Sequence, residues 1–136
     1  MKSFDWEFKS NINIEKIKIL RVLIIDDELD ICFLLSGILR QKKLRTSYVN
    51  TLLEAEIALR ADPPQFLFLD NHLPDGFGLD FIHHIKNNYP SVKIIMITAH
   101  DSMAEKNKAY TEGVDYFISK PFTREIINST VDLIMA

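Results

Sequence analysis

A chain of 136 residues is one domain's length and can bury a sizeable core. Apolar residues make up 47% and charged residues 26%, which excludes a disordered chain and fits a globular one. The net charge of −3, from 16 basic and 19 acidic residues, gives no electrostatic case for direct nucleic-acid binding.

Residues 1–16 are the hardest to read. Phe4, Trp6 and Phe8 alternate with Asp5, Glu7 and Lys9, the period of an extended strand or arm. A tail whose aromatics fold back onto the domain, a disordered leader, or an arm that docks on a partner all fit that pattern. Lys2 is followed by no apolar h-region, so no signal peptide is expected, and no apolar run approaches a membrane span. A cytoplasmic location is the default expectation.

Arg21–Ile25 reads as a buried strand, with Ile17 as an earlier alternative start, and it ends in Asp26-Asp27-Glu28. From Leu29 to Lys42, Ile31, Leu34, Leu35, Ile38 and Leu39 recur at helical spacing. Cys32, the single cysteine, excludes an intramolecular disulfide and reads as a small buried hydrophobe. Leu44–Val49 is a second strand. Asn50 or Thr51 then caps a helix carrying Leu52, Leu53, Ile57 and Ala58, which Pro63-Pro64 stops.

Phe66-Leu67-Phe68-Leu69 is a short, wholly apolar run ending at Asp70, as expected of a central strand covered on both faces. Pro74, Asp75 and Gly76 break the chain after it. Leu79–Asn88 is a third helix with Leu79, Ile82 and Ile85 inward. Val92–Thr98 is a fourth strand, Ser102–Glu112 a polar helix ended by Gly113, and Tyr116–Ser119 a fifth strand broken by Pro121. Thr123 caps a last helix. Strand–helix alternation five times over, with short connections, predicts an α/β fold: a doubly wound five-stranded parallel sheet with helices on both faces. No repeat or linker leading to a second domain is apparent.

In a parallel sheet all strand ends of one polarity share an edge. Asp26, Asp27, Asp70, Thr98 and Lys120 stand at such ends, so five residues far apart in sequence should converge. Alone, each has a plain reading; Asp70 could be a helix N-cap or a solvated loop carboxylate. Together they pose an electrostatic problem. Two carboxylates about 5 Å apart repel by roughly 3 kcal/mol at an effective dielectric of about 20, so three cannot all stay ionised without a cation. Lys120 supplies part of the answer, and a hard divalent ion such as Mg²⁺ suits the remainder. Without metal, at least one acid should show a raised pKa. An acid cluster with Mg²⁺, an amine and a hydroxyl is equipment for phosphoryl transfer, with Asp70 the best-placed nucleophile.

These residues resemble a known family. Asp26-Asp27, Asp70 with Pro74 and Gly78, Thr98-Ala99 and Lys120-Pro121-Phe122 are similar to the motifs of bacterial two-component response-regulator receiver domains. The Leu73-Pro74-Asp75-Gly76 turn and the Gly113-Val114-Asp115-Tyr116-Phe117 approach fit as well. The resemblance covers residues 20–136, leaving 1–19 as an N-terminal extension. It implies a flavodoxin-like sheet of order 2-1-3-4-5. It implies that Asp70 is phosphorylated by a sensor histidine kinase or phosphotransfer protein. It implies Mg²⁺ bound by Asp27, Asp70 and the backbone carbonyl of His72, with Asp26 helping through water. Lys120 would pair with a phosphoryl oxygen, and Thr98 and Phe117 would act as the switch pair, with Tyr116 facing the other side of its strand. The Lys120–Pro121 peptide would be cis. The output would be a changed fourth-helix, fifth-strand, fifth-helix face that binds a downstream protein or a second copy in a homodimer; no membrane or nucleic-acid partner is implied.

His72 and His100, two positions after Asp70 and Thr98, would border the phosphoryl group and could tune its lifetime near neutral pH; two solvated loop histidines is the plainer reading. His83-His84 lacks a spacing partner for a metal site and reads as surface. Lys106 and Lys108 could meet an acidic partner or simply be solvated. The expected activity is that of a stand-alone phosphoacceptor with self-catalysed phosphorylation and dephosphorylation, not a metabolic enzyme. Two alternatives stay open: a Mg²⁺-dependent aspartyl phosphohydrolase, and a receiver-like module that binds proteins without being phosphorylated.

Overall fold

A computed structural model describes residues 19–136. The period-2 stretch at Phe4–Phe8 and the early strand start at Ile17 lie outside those residues.

The elements follow in the order β1 (Arg21–Ile25), α1 (Leu29–Arg40), β2 (Arg45–Val49), α2 (Leu52–Ala61), β3 (Phe66–Leu69), β4 (His72–Leu73), β5 (Gly76–Phe77), α3 (Gly78–Asn88), β6 (Lys93–Thr98), α4 (Met103–Glu112), β7 (Tyr116–Ser119) and α5 (Arg124–Met135). Five strands form one parallel sheet of order β2-β1-β3-β6-β7, so the expected doubly wound arrangement holds. β3 lies at its centre, with Ile25 in register with Leu69 on one side and Leu69 with Met96 on the other.

Strand side chains alternate between two cores. Leu23, Ile25, Leu67, Leu69, Ile94 and Met96 point toward α2, α3 and α4. Val22, Ile24, Phe66, Phe68, Ile95 and Ile97 point toward α1 and α5. All four residues of β3 are buried, which is why the run carries no polar residue. Each such Leu or Phe contributes about 1.5–3 kcal/mol on burial.

The caps follow the sequence. Thr51 accepts from the Glu54 N–H, Ser102 from Glu105 and Thr123 from Ile126. Gly113 ends α4 in the left-handed region at φ 115°, where its N–H reaches the Ala109 and Tyr110 carbonyls.

The structure settles which residues of α1 and α2 face the core. On α2 the buried residues are Ala55 and Leu59, with Leu52 and Ala58 packed half-buried against the same core, whereas Leu53 and Ile57 face solvent. On α1, Leu34 is exposed, against the expected stripe, and Cys32 is buried as expected beside Leu35, Ile38 and Leu39. The expected break after Asp70 takes the form of a small antiparallel hairpin, pairing His72 with Phe77 and Leu73 with Gly76 around the Pro74-Asp75 turn. No helix among the described residues is long and apolar enough to cross a membrane.

Candidate functional site

The carboxyl ends of β1, β3, β6 and β7 meet at one edge of the sheet, and the site is built from the residues that follow them. The Asp70 N–H donates to the Ile25 carbonyl at 2.9 Å, so the ladder between β1 and β3 runs one residue past the strands and fixes Asp70 beside Asp26. On the far side of β1, the Asp26 N–H donates to the Val49 carbonyl at 3.1 Å. The Lys120 N–H donates to the Thr98 carbonyl at 2.9 Å, which brings the end of β7 to the end of β6. Parallel pairing therefore assembles the cluster before any side chain contributes.

The side chains then converge. Ligand atoms from Asp26, Asp27, Glu28 and Asp70 all lie within 4.8 Å of one another. Asp26 is fully buried: Oδ1 accepts from the Glu28 N–H at 2.9 Å, and Oδ2 accepts from Lys120 Nζ at 2.9 Å. The same ammonium stands 3.4 Å from Glu28 Oε1 and 3.7 Å from Asp70 Oδ1. Asp70 accepts from the Asn71 N–H at 2.9 Å. Asp27, by contrast, is exposed at the mouth. The peptide before Pro121 is cis.

One ammonium does not balance this much negative charge. Burial, with the Asp26 charge next to it, pushes the Asp70 carboxyl up to about 6 despite Lys120. Burial also raises Asp26, against the pull of the Lys120 hydrogen bond. Burial alone would discharge Lys120, but its hydrogen bond to Asp26 and the surrounding carboxylates raise its pKa and keep it cationic. The raised acid expected without metal is therefore present. Clustered hard oxygen donors with excess negative charge suit a hard divalent cation.

A cavity of about 230 Å³ opens here, lined by Asp27, Glu28, Asp70, His72, Ala99, His100 and Lys120. Thr98 is buried at the end of β6, and its Oγ1 accepts from the His100 N–H at 3.2 Å. The His72 and His100 rings stand perpendicular, with centroids 3.7 Å apart, so two loops from different strands close one side of the mouth together. Phe117 is half-buried against the core under α4, with Lys106 Nζ 5.7 Å from its ring centroid, while Tyr116 packs on the opposite face. His83 is exposed, but His84 bonds Glu56 at 2.9 Å and ties α3 to α2.

A family model of the response regulator receiver domain matches residues 22–132. The chain belongs to this family. Among curated relatives, the response regulator protein PilR of Pseudomonas aeruginosa is 37% identical over 101 residues, covering 74% of this chain and 23% of PilR. The probable transcriptional regulatory protein TcrX of Mycobacterium tuberculosis is 31% identical, covering 76% of this chain and 44% of TcrX. The chain thus spans less than half the length of these two relatives. Among solved structures, the beryllofluoride-activated NtrC4 receiver domain dimer superposes with a TM-score of 0.80 at 37% identity, over 84% of this chain and 94% of that one. A two-component response regulator from Clostridium difficile superposes with a TM-score of 0.82 at 27% identity, over 85% and 95%.

Two residues of this receiver domain's pocket were not singled out from sequence. Glu28 joins the carboxylate cluster and reaches Lys120; its place directly after Asp26-Asp27 was the available signal. Asn50 donates from Nδ2 to the Asp26 carbonyl at 2.8 Å. A lone Asn at the end of a strand gives no sign of that.

Proposed function

We propose that this receiver domain is a Mg²⁺-dependent phosphoacceptor switch that takes a phosphoryl group from a histidine kinase or phosphotransfer protein onto Asp70. The observation that most supports this reading is the cluster of Asp26, Asp27, Glu28 and Asp70 around the single ammonium of Lys120. On this reading residues 20–136 are the switch and residues 1–19 an extension, in a cytoplasmic protein.

Mg²⁺ would be held by the Asp27 and Asp70 carboxylates and the His72 backbone carbonyl, with Asp26 assisting through water. When bound, it supplies neutralising charge to the phosphoryl oxygens. Asp70 acts as the ionised carboxylate, the dominant form above its pKa of about 6. One of its oxygens attacks phosphorus while the N–P bond of the donor phosphohistidine breaks, and the bonding pair returns to the imidazole nitrogen. Lys120, already 3.7 Å from Asp70, hydrogen-bonds a phosphoryl oxygen of the new acyl phosphate. The Thr98 hydroxyl turns from the His100 N–H to a second phosphoryl oxygen, and Phe117 follows behind it. Water attacking phosphorus breaks the bond to the Asp70 oxygen, which keeps the electron pair as the free carboxylate; inorganic phosphate leaves, the water proton passes to it or to solvent, and the switch is reset.

Phosphorylation adds about −1.5 to −2 charges at one point. Movement of Thr98 and Phe117 carries that change to the α4–β7–α5 face, where a downstream protein binds the altered shape more tightly. The NtrC4 receiver is a dimer, which makes a second copy of this chain one candidate occupant of that face.

Incubation with a small phosphodonor and Mg²⁺ followed by intact mass, with Asp70→Asn as control, tests the reading. A Mg²⁺-dependent phosphoryl adduct that vanishes in the variant is expected. No adduct on a chain that binds metal would leave a protein-binding module. Asp70-dependent phosphate release without a lasting adduct would favour a phosphohydrolase or a rapidly resetting receiver.

A further inference from the structure

The first turn of α2 is tied to the two loops that carry Asp26-Asp27 and His72. A helix N-terminus exposes N–H groups with no partner inside the helix. Here a carboxylate from elsewhere in the chain takes two of them: Asp75 Oδ1 accepts from the Leu52 N–H at 2.8 Å, and Oδ2 from the Leu53 N–H at 3.0 Å. Thr51 Oγ1 takes a third, from Glu54, at 3.1 Å. The Glu54 carboxylate reaches back and accepts the Asn50 N–H at 3.0 Å.

Asp75 belongs to the tip of the β4–β5 hairpin, whose first residue is His72. Gly76, beside it at φ 154°, packs so closely that a Cβ would stand 3.0 Å from Leu52 Cδ1. On the other flank, Asn50 Nδ2 donates to the Asp26 carbonyl at 2.8 Å. The chain of contacts is closed: the Asp26–Asp27 loop, Asn50, the first turn of α2, Asp75, and the hairpin that begins at His72. The carboxylate is well suited to its place, because the Leu52 and Leu53 N–H groups hold its pKa below the usual range and the helix dipole favours its charge.

We propose that the first turn of α2 braces the phosphorylation pocket, with Asp75 and Asn50 as positioning residues that fix the Asp27 carboxylate relative to the His72 carbonyl and so set the affinity for Mg²⁺. This rests on the reading of the pocket as a Mg²⁺ site. The brace acts on metal affinity and leaves the chemistry to Asp70, Lys120 and Thr98.

Calorimetric titration of the full chain with Mg²⁺ tests it, in the wild type, Asp75→Ala, Asp75→Asn and Glu56→Gln. Loss of a group that orients metal ligands weakens binding by about tenfold or more, and that is expected for Asp75→Ala. Asp75→Asn keeps one acceptor and should lie between; it carries the test if Asp75→Ala does not fold. Glu56→Gln weakens the other tie of α2, to His84, and should bind Mg²⁺ as the wild type does. Faster amide exchange at Leu52 and Leu53 in the Asp75 variants, without metal, should accompany the loss. Saturating Mg²⁺ should restore the wild-type rate of adduct formation. Wild-type affinity in Asp75→Ala, or an equal loss in Glu56→Gln, would overturn the brace while leaving the Mg²⁺ site standing. A wild type that binds no Mg²⁺ would overturn both.

Discussion

Gly78 sits directly against the backbone of Asp70: a Cβ at position 78 would stand 2.2 Å from the Asp70 carbonyl oxygen and 3.0 Å from Leu69 Cγ. The Gly78 N–H donates to the Asn71 carbonyl at 2.7 Å, and Asn71 Oδ1 accepts from the Leu79 N–H at 3.0 Å, so the start of α3 is clamped onto the loop that carries Asp70. Backbone cannot yield as a side-chain tip can. Gly78→Ala should therefore cost about 3 kcal/mol, at the upper end for an overpacked site. Gly37, inside α1 with nothing within 4 Å of its Cβ position, is the internal contrast. Gly37→Ala should stabilise by about 0.5–1 kcal/mol through helix propensity. Urea unfolding of both variants checks the pair; similar effects at the two positions would contradict the close approach.

Lys120 holds the pocket together electrostatically. Its ammonium is nearly buried and bonds a fully buried carboxylate, Asp26, at 2.9 Å. Lys120→Met leaves that carboxylate without its partner, and breaking a buried pair from one side costs about 3–5 kcal/mol. On the proposed Mg²⁺ site, the loss should be largest in chelator and smaller in Mg²⁺, where the metal would supply the missing positive charge. Denaturation curves with and without Mg²⁺ measure this. A loss that is independent of metal would mean that Lys120 contributes by packing its aliphatic stem and not by its charge.

The sheet and the convergence of Asp26, Asp27, Asp70 and Lys120 could be read from sequence, because each rests on a strong local signal. β3 is wholly apolar, and the polar residues appear only where the strands end. The inward face of α2 could be read only in part, at Leu52 and Ala58. Its buried residues are Ala55 and Leu59, and an alanine carries little hydrophobic signal, whereas Leu53 and Ile57 are apolar yet 67% and 61% exposed. The β4–β5 hairpin has two residues per strand, too few to show a period. Asn50 and Asp75 act through backbone groups far away in sequence, which no spacing rule announces.

The observed face of α2 makes its own prediction. Leu53→Lys and Ile57→Lys should change stability by no more than about 0.5 kcal/mol, as exposed positions do. Ala55→Leu should cost about 1–3 kcal/mol, because the larger side chain must enter a filled core between α2 and the sheet. Thermal unfolding of the three variants decides it. A large loss from Leu53→Lys would contradict the solvent exposure of that face.

Asp70 should make the metal-free protein less stable as pH rises, the reverse of a salt-bridged carboxylate. Its folded pKa of about 6 lies above the ordinary 3.8. Below about pH 4 both folded and unfolded chains hold the proton, and the group is neutral in the balance. Between these values the folded chain keeps a proton that the unfolded chain has lost, so stability falls with rising pH through about 6 and stays lowered above it. The size is on the order of 2 kcal/mol for a shift of this magnitude in a site open to water on one side. Asp70→Asn removes the charge while keeping the shape. In chelator the variant should exceed the wild type by about that amount at pH 7.5, and the gap should close by pH 4. If Asp70 ligates Mg²⁺ as proposed, the bound ion opposes the same penalty, and adding it should narrow the gap at pH 7.5 by raising the wild type alone. A gap of equal size at both pH values would assign the stabilisation to packing of the amide and not to relief of a buried charge.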